Sequence, residues 1–184
     1  MIKKVLIATD GSEHAKKAVA FGSDIAAKFN AEVLLVHVLL HKESSEELLH
    51  FAEVEYGIDV HRLSKQAFAN AAAAPATTYP AAEFPAYVES TKQDVATPSR
   101  VLNMLGEEIL KHAAETAREH GVRTVNKRIV DGNPASRILE LVEAESVDLV
   151  VSGARGLSDL KALAVGSVSH KLIQLSPVPC VTVR

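Results

Sequence analysis

The sequence is poor in aromatic residues and in cysteine. It has no tryptophan, aromatic residues make up 4% of its 184 residues, and Cys180 is its one cysteine. A single cysteine cannot form an internal disulfide, which agrees with a reducing compartment. Because hydrophobic residues still account for 47% of the chain, the core must consist of Val, Leu, Ile and Ala. Such a core is typical of parallel sheets flanked by helices rather than of β-sandwiches.

The sequence also has neither a marked excess of charge nor a long apolar run. A formal net charge of −3 gives no electrostatic argument for a nucleic acid or an anionic membrane as a partner. The apolar run after Lys3 and Lys4 is too short for a signal peptide, and no stretch approaches the length of a membrane span. A chain of this length suits one domain with a full core. We therefore expect a cytoplasmic protein with a single domain, residues 1–184.

Short apolar runs alternate with segments of helical periodicity along most of the chain. The runs predict five strands, at Val5–Ala8, Val33–Leu39, Thr124–Val130, Asp148–Ser152 and Cys180–Val183. Helices are predicted at Ser12–Phe29, from Ser99 to about Gly121, after Asn133-Pro134 and at Ser167–Leu175. Strands that alternate with helices indicate an open α/β sheet. The alternation of polar and apolar residues in Thr124–Val130 suits an edge strand.

The pattern degrades between His41 and about Pro98. The residue pattern predicts short helices at Ser45–Tyr56 and Val60–Phe68, and the stretch that follows is rich in alanine and interrupted by prolines. A connection this long without regular structure is uncommon in a compact domain. We predict an irregular insertion at about 41–98, which is a surface insertion, a lid over a ligand or an arm that grips a partner subunit.

The stretch from Val147 to Lys171 combines a strand, a loop punctuated by glycines and the start of a helix. The strand ends at Ser152-Gly153, Gly156 follows in the loop, and Gly166-Ser167 opens the helical pattern. Glycines allow the backbone to approach a ligand closely. A helix N-terminus offers unpaired N–H groups and the positive end of its dipole to a phosphate, although Ser167 would serve equally well as a simple N-cap. The stretch therefore predicts nucleotide binding at the carboxyl edge of the sheet.

Other residues that carry chemistry have simpler interpretations. Asp10 precedes Gly11-Ser12 and suits a turn before a helix as well as a ligand contact. His37 and His41 lack further ligands at metal-binding spacing, which favours ordinary satisfied or surface histidines. Cys180 lies in an apolar strand, where a core role is more common than a nucleophilic one.

The sequence lacks the catalytic motifs of nucleotide-dependent enzymes. It has no GxxxxGK[ST], the motif of P-loop γ-phosphate chemistry, and neither the SGGxDS after the first strand nor the HIGH of nucleotide-alpha hydrolases. No carboxylate or glutamine is clearly placed to orient an attacking water. Arg155 and Lys161 lie in the glycine loop, where a phosphate counter-charge and a solvated cation are equally good interpretations. Neither is included in the predicted core site.

Several segments resemble the universal stress protein family. Gly153, two residues, Gly156, nine residues and Gly166-Ser167 are similar to the ATP-binding signature of that family. The opening VLIATDGSEHAKKAV, the VLLVHV strand, the DGNPASRI turn and the terminal PVPCVTVR also resemble it. A glycine pattern alone is weak evidence, but this one follows a predicted strand and comes with the other segments in the right order. Ala8 departs from the proline that some ATP-binding members have there.

The resemblance implies a fold, a ligand and a site. The fold would be an open parallel five-stranded sheet of order 3-2-1-4-5 with helices on both faces, as in adenine nucleotide alpha hydrolases. The acidic residue after the first strand and the end of the second strand would hold adenine, and the glycine loop would take ribose and phosphates. The implied ligand is ATP, ADP or AMP, with or without Mg²⁺. Carried over by position, the implied site residues are Asp10, Val38, Gly153, Gly156, Gly166, Ser167, Val168 and Ser169.

Three functions stay open at this point. The first is a nucleotide-dependent stress-response or signalling module with an unidentified protein partner, and the second is a slow ATPase or nucleotide-dependent enzyme. The third, a stress protein without nucleotide, fits poorly with the intact glycine loop. The final strand would lie at a sheet edge, and family members commonly pair this strand across a two-fold axis. We therefore expect a homodimer built partly on Val181–Arg184.

Overall fold

The computed structural model of the protein describes residues 1–39, 53–56, 98–156 and 166–184. The chain divides into two units, Met1–Leu40 with Gly106–Arg184, and His41–Leu105. In the second unit, the described residues form a helical turn at 53–56 and the beginning of a long helix.

Most of the predictions for the middle of the chain concern residues that the structure does not describe. Of the short helix predicted at Ser45–Tyr56, only 53–56 is described, and it is helical. The helix predicted at Val60–Phe68 and nearly all of the insertion at about 41–98 lie outside the described residues. The assignment of the whole chain to one domain stays a prediction.

The first unit contains a sheet of five parallel strands in the order β3-β2-β1-β4-β5. The strands are β1 Lys4–Ala8, β2 Glu32–Leu39, β3 Val125–Asp131, β4 Leu149–Gly153 and β5 Cys180–Val183. This order confirms the predicted 3-2-1-4-5 arrangement, and β3 lies at an edge as its half-polar pattern predicted. Since β1 pairs with β2 on one side and β4 on the other, the strand order reverses between β1 and β4.

In the described part of the chain, four helices are longer than a single turn: α1 Glu13–Phe29, α2 Pro98–Glu119, α3 Pro134–Ala144 and α4 Ser167–Leu175. The hydroxyl oxygen of Ser12 caps α1 by accepting a hydrogen bond from the Ala15 N–H at 3.3 Å. The side-chain oxygen of Asn133 caps α3 in the same way, with the Ser136 N–H as donor at 3.2 Å. Among the described residues, no helix is both long and apolar enough to span a membrane.

Apolar side chains are buried on both faces of the sheet. Val5 and Ile7 of β1 lie in the layer that contains α1 and α2, whereas Leu6 between them lies in the layer that contains α3 and α4. All three are fully buried, and burial of one such side chain contributes roughly 1.5–3 kcal/mol. This two-sided burial explains the unbroken apolar runs of the strands. It also places the polar sequence at the strand ends, where the loops meet.

Candidate functional site

One cavity lies at the carboxyl edge of the sheet, beside the point where the strand order reverses. All eight residues of the predicted site line it: Asp10, Val38, Gly153, Gly156, Gly166, Ser167, Val168 and Ser169. The other lining residues are Ala8, Thr9, Ala15, Val36, Pro134, Ile138, Ser152 and Arg155. The fold thus brings together predicted site residues as far apart in the chain as Asp10 and Ser169.

The two ends of the cavity differ in chemistry. On the β2 side, its wall consists of apolar side chains: Val36 and Val38 of β2 and Pro134 and Ile138 of α3. On the β4 side, the wall consists of glycines, serines and the N-terminus of α4. Asp10 follows β1, the strand between these two sides. The cavity therefore offers an apolar end, an acidic centre and a polar end rich in backbone N–H groups.

The carboxylate of Asp10 is held in a defined place. Its Oδ1 oxygen accepts a hydrogen bond from the Ser12 N–H at 3.0 Å, as in the predicted turn before α1. Its Oδ2 oxygen lies directly against Gly156, so close that a Cβ added to the glycine would overlap it. The glycine loop and the β1 turn thus meet at this carboxylate.

Gly153 has a packing role besides its place in the cavity wall. A Cβ at this position would lie 2.9 Å from both the Ala15 nitrogen and the His14 carbonyl carbon. Both are backbone atoms in the first turn of α1, which cannot move aside independently of the helix. The absence of a side chain at Gly153 therefore allows the end of β4 to approach the start of α1.

The N-terminus of α4 opens into the cavity without a side-chain cap. Its N-cap residue is Gly166, with φ −69° and ψ 158°, and Ser167 is the first helical residue. The interpretation of Ser167 as a possible N-cap was therefore wrong, because the extended residue that precedes the helix has no side chain. Unlike α1 and α3, which Ser12 and Asn133 cap, α4 presents its first N–H groups uncapped.

Ser169 closes the base of the glycine loop. Its hydroxyl lies 3.1 Å from the Ala154 carbonyl oxygen and 3.0 Å from the Gly166 carbonyl oxygen, and it donates to this pair of acceptors. The Ala154 oxygen also accepts the Gly166 N–H at 2.6 Å. Ser169 is buried. The hydroxyl proton of Ser169 thus joins the two ends of the loop, whereas the hydroxyl of Ser167 lies in an exposed residue.

Two residues that were considered for other chemistry have ordinary surroundings. His37 is buried and its Nδ1 lies 2.9 Å from the Thr9 carbonyl oxygen, so it is a satisfied core histidine as predicted. The Cys180 thiol, half-buried, donates to the Leu172 carbonyl oxygen at 3.4 Å. Within the described ranges, no group of three or more His, Cys, Asp and Glu side chains is arranged to hold a metal ion.

Part of the cavity wall was not predicted from the sequence. Val36 and Ile138 lie in apolar patterns that predict burial but do not distinguish a core contact from a cavity wall. Pro134 follows β3 at the carboxyl edge of the sheet, and this position was the one sequence signal that could have indicated its place in the cavity wall. Arg155, which is not among the eight predicted site residues, also lines the cavity. Lys161 and His41 lie outside the described residues.

The sequence matches the model of the universal stress protein family over residues 1–184. The chain belongs to the universal stress protein family. A curated relative is universal stress protein YxiE of Bacillus subtilis, which is 29% identical over 184 residues, the full length of both chains. The family match covers the middle segment as well, where the short motifs of the sequence gave no resemblance.

Solved universal stress proteins share the fold. One, described as a universal stress protein in complex with cAMP, aligns with a TM-score of 0.56 and 21% identity over all of this chain and 97% of its own. Another, from Archaeoglobus fulgidus and in complex with dAMP, aligns with a TM-score of 0.53 and 14% identity over all of this chain and 98% of its own. At these identities the comparison shows a common fold.

Proposed function

We propose that this universal stress protein binds an adenine nucleotide (ATP, ADP or AMP) in the cavity, and that occupancy controls its association with other proteins. The observation that carries the proposal is the uncapped N-terminus of α4, which opens into a cavity lined by Gly153, Gly156 and Gly166. A side-chain cap and a bound phosphate use the same backbone N–H groups in the first turn of a helix. A helix whose N-terminus faces a cavity without a side-chain cap therefore has donors available for an anion.

The phosphates would bind at the α4 end of the cavity. The helix dipole places partial positive charge there, and Arg155 lines the same cavity. The glycines keep side chains out of the space that a phosphate chain would occupy. Mg²⁺ would accompany the phosphates when the ligand is ATP or ADP.

The adenine base would bind at the opposite end, against Val36, Val38 and Ile138. This wall is apolar, and a flat aromatic base gains from burial against such side chains. The carboxylate of Asp10, between the two ends, would accept hydrogen bonds from the exocyclic amine or from ribose hydroxyls. The two solved neighbours whose complexes contain cAMP and dAMP support an adenine ligand.

The test is calorimetric titration of nucleotide-stripped protein with ATP, with and without Mg²⁺, alongside GTP and adenosine. The variant is Ser167→Pro: proline fits the first position of a helix, Gly166 already has the extended conformation that a following proline requires, and one N–H is removed. Because a hydrogen bond to a charged group contributes about 1.5–3 kcal/mol, we expect affinity for ATP to fall by about tenfold or more.

Ser167→Ala is the matched control, since it removes the hydroxyl and keeps the N–H. Adenosine is the control ligand, because it lacks phosphates and should bind both variants as it binds the wild type. Equal ATP affinity of Ser167→Pro and the wild type would rule out α4 as the phosphate site. No binding of any nucleotide by the folded wild type would overturn the proposal. Phosphate release measured in the same samples tests for slow hydrolysis.

We also propose that two copies pair through β5. Among the described residues, β5 is an edge strand that pairs only with β4, and all four of its residues are half-buried. The carbonyl oxygens of Pro179 and Val183 accept hydrogen bonds from β4 and its extension. Because the N–H and C=O groups of successive residues point alternately to the two edges of a strand, the N–H of Thr182 points away from β4, to the edge where a partner strand would pair.

Thr182→Pro tests this pairing. The substitution removes the outward N–H and keeps the ladder to β4, and proline is tolerated on edge strands. We expect a wild-type dimer and a variant monomer in sedimentation velocity at micromolar concentration. Thr182→Val keeps the N–H and should stay dimeric. A monomeric wild type would contradict the proposal.

A further inference from the structure

His37 lies behind the cavity. The cavity-lining Val36 and Val38 have their side chains on the face that packs against α3 and α4, and His37 between them lies on the opposite face. Only 8% of its surface is exposed. Its Nδ1 is 2.9 Å from the Thr9 carbonyl oxygen. Because a carbonyl oxygen only accepts, Nδ1 carries the hydrogen and donates it.

The ring of His37 occupies a space that the neighbouring elements leave for it. A Cβ on Gly106 of α2 would lie 2.9 Å from the ring Cδ2 and 3.4 Å from Cδ1 of Ile129. Glycine at 106 therefore makes room for an imidazole between α2 and β3. Burial lowers the pKa of His37, and the Thr9 hydrogen bond and the nearby charge of Asp10 offset this only in part. The imidazole is accordingly neutral at physiological pH.

The bond from His37 completes the attachment of Thr9 to β2. The Thr9 N–H donates to the Val36 carbonyl oxygen at 2.9 Å, so strand β2 holds both the N–H and the carbonyl of this residue. The Thr9 side-chain oxygen in turn accepts the Gly11 N–H at 3.3 Å. The N–H, the carbonyl oxygen and the side-chain oxygen of Thr9 are thus all hydrogen-bonded, and the turn that carries Asp10 starts from this residue.

We propose that His37 is a positioning residue for the Asp10 turn, acting on the cavity from the opposite face of the sheet through the Thr9 carbonyl. As far as the ligand is concerned, the inference rests on the proposed function. A leucine would fill the same space but would leave the buried Thr9 carbonyl without its donor. The turn would then lose one of its fixed points, and Asp10 would spend less time in the position that contacts the ligand.

The alternative is a histidine that contributes to stability and nothing else. The two roles differ in what happens in the folded molecule. A purely structural histidine, when replaced, lowers the fraction of folded protein and so the number of binding sites per chain, but the folded molecules keep their affinity. A positioning residue, when replaced, changes the dissociation constant at unchanged stoichiometry.

The variants are His37→Leu and His37→Asn. The side-chain nitrogen of asparagine can take the place of the imidazole Nδ1, so His37→Asn should retain the bond to Thr9. We expect His37→Leu to bind both adenosine and ATP about five- to tenfold more weakly, at wild-type stoichiometry. His37→Asn should stay within about threefold of the wild type. Unchanged affinity in a folded His37→Leu protein would overturn the proposal.

A second measurement does not depend on any ligand. Amide hydrogen exchange in the free protein should show faster exchange of the Gly11 and Ser12 N–H groups in His37→Leu, by about tenfold. The Ser136 N–H, which belongs to the α3 cap, is the reference and should not change. Uniform acceleration of all amides would mean that the histidine is merely structural. If the wild type binds no adenine nucleotide, the proposed function fails, whereas selective exchange at Gly11 and Ser12 would still establish the positioning role.

Discussion

Gly156 packs against the carboxylate of Asp10, because a Cβ added to the glycine would clash with the Oδ2 oxygen. The glycine loop after β4 and the turn after β1 therefore pack against each other at this point. The absence of a side chain at 156 leaves the space that the carboxylate occupies. The Ser12 N–H holds the other oxygen of that carboxylate at 3.0 Å.

This contact predicts that Gly156→Ala acts on binding through Asp10. The added methyl should displace the carboxylate and weaken ATP binding by about tenfold, whereas in the Asp10→Ala background the same change should cost less than about threefold. A double-mutant cycle by calorimetric titration measures the difference. Additive effects of the two substitutions would show that Gly156 acts independently of Asp10, by direct approach to the ligand.

Alanine substitution should lower the stability of the protein more at Gly153 than at Gly156, although both glycines belong to one motif. An alanine Cβ at 153 would collide with backbone atoms of His14 and Ala15 at 2.9 Å, and backbone yields less readily than the end of a side chain. We expect Gly153→Ala to lower the free energy of unfolding by about 1–3 kcal/mol. Gly156→Ala is the matched control and should cost less than about 1 kcal/mol. Urea unfolding of both variants decides this, and the reverse order would contradict it.

The elements were predictable because their signals are local. Asn133 and Pro134 mark the start of α3 by their own backbone preferences. The left-handed conformation of Asn30 ends α1 in the same way. The observed strand boundaries differ from the predicted ones by at most one residue at either end. Strand order, in contrast, has no local signal, since the runs that form β1 and β4 contain nothing that identifies them as neighbours. The predicted order came from the family resemblance.

The details of the site were less accessible. Eight cavity-lining positions and their expected ligand contacts followed from the resemblance, but the contacts that these residues make within the protein did not. Gly153 packs against α1, Gly156 contacts Asp10, and Ser169 joins the ends of its own loop. These roles depend on contacts between residues far apart in the chain. Local periodicity does not encode them.

Ser169 is expected to support the glycine loop. Ser169→Ala removes the donor that the Ala154 and Gly166 carbonyl oxygens share, and loss of a buried hydrogen bond costs about 1–2 kcal/mol. We therefore expect lower stability in urea unfolding together with weaker ATP binding. Ser169→Thr, which keeps the hydroxyl, should restore much of both, and the exposed Ser167 changed to Ala should leave stability unchanged. Full stability of Ser169→Ala would refute the role.

Asp148 should contribute to the acid stability of the sheet. Its Oδ2 oxygen accepts the Lys3 N–H at 2.7 Å and the Lys4 N–H at 3.0 Å. These bonds lower the pKa of the Asp148 carboxyl below its ordinary value of 3.8, with the Lys3 bond as the largest cause. As pH falls, Asp148 therefore takes up its proton in the unfolded chain before it does so in the folded chain. The stabilisation is fully present above the unfolded pKa and is lost as pH falls to the lower pKa of the folded state.

Asp148→Asn should accordingly be less stable than the wild type at neutral pH, and the difference should shrink as the solution is acidified below the ordinary pKa. Urea unfolding at a series of pH values measures it. Glu119→Gln, on the exposed end of α2, controls for the removal of one negative charge. A stability difference that is constant with pH would show that the carboxylate charge is not involved.

His37 predicts a second, separate pH dependence. Burial lowers its folded pKa below the ordinary 6.5, so the unfolded state binds more protons than the folded state as pH falls below that value. Stability should therefore be full above about pH 6.5 and decline below it, by up to about 1.4 kcal/mol per pH unit for one proton. His37→Asn should lose this component, and the exposed His170→Asn should keep it. Identical slopes of unfolding free energy against pH in all three proteins would mean that His37 accepts a proton equally well in the folded state.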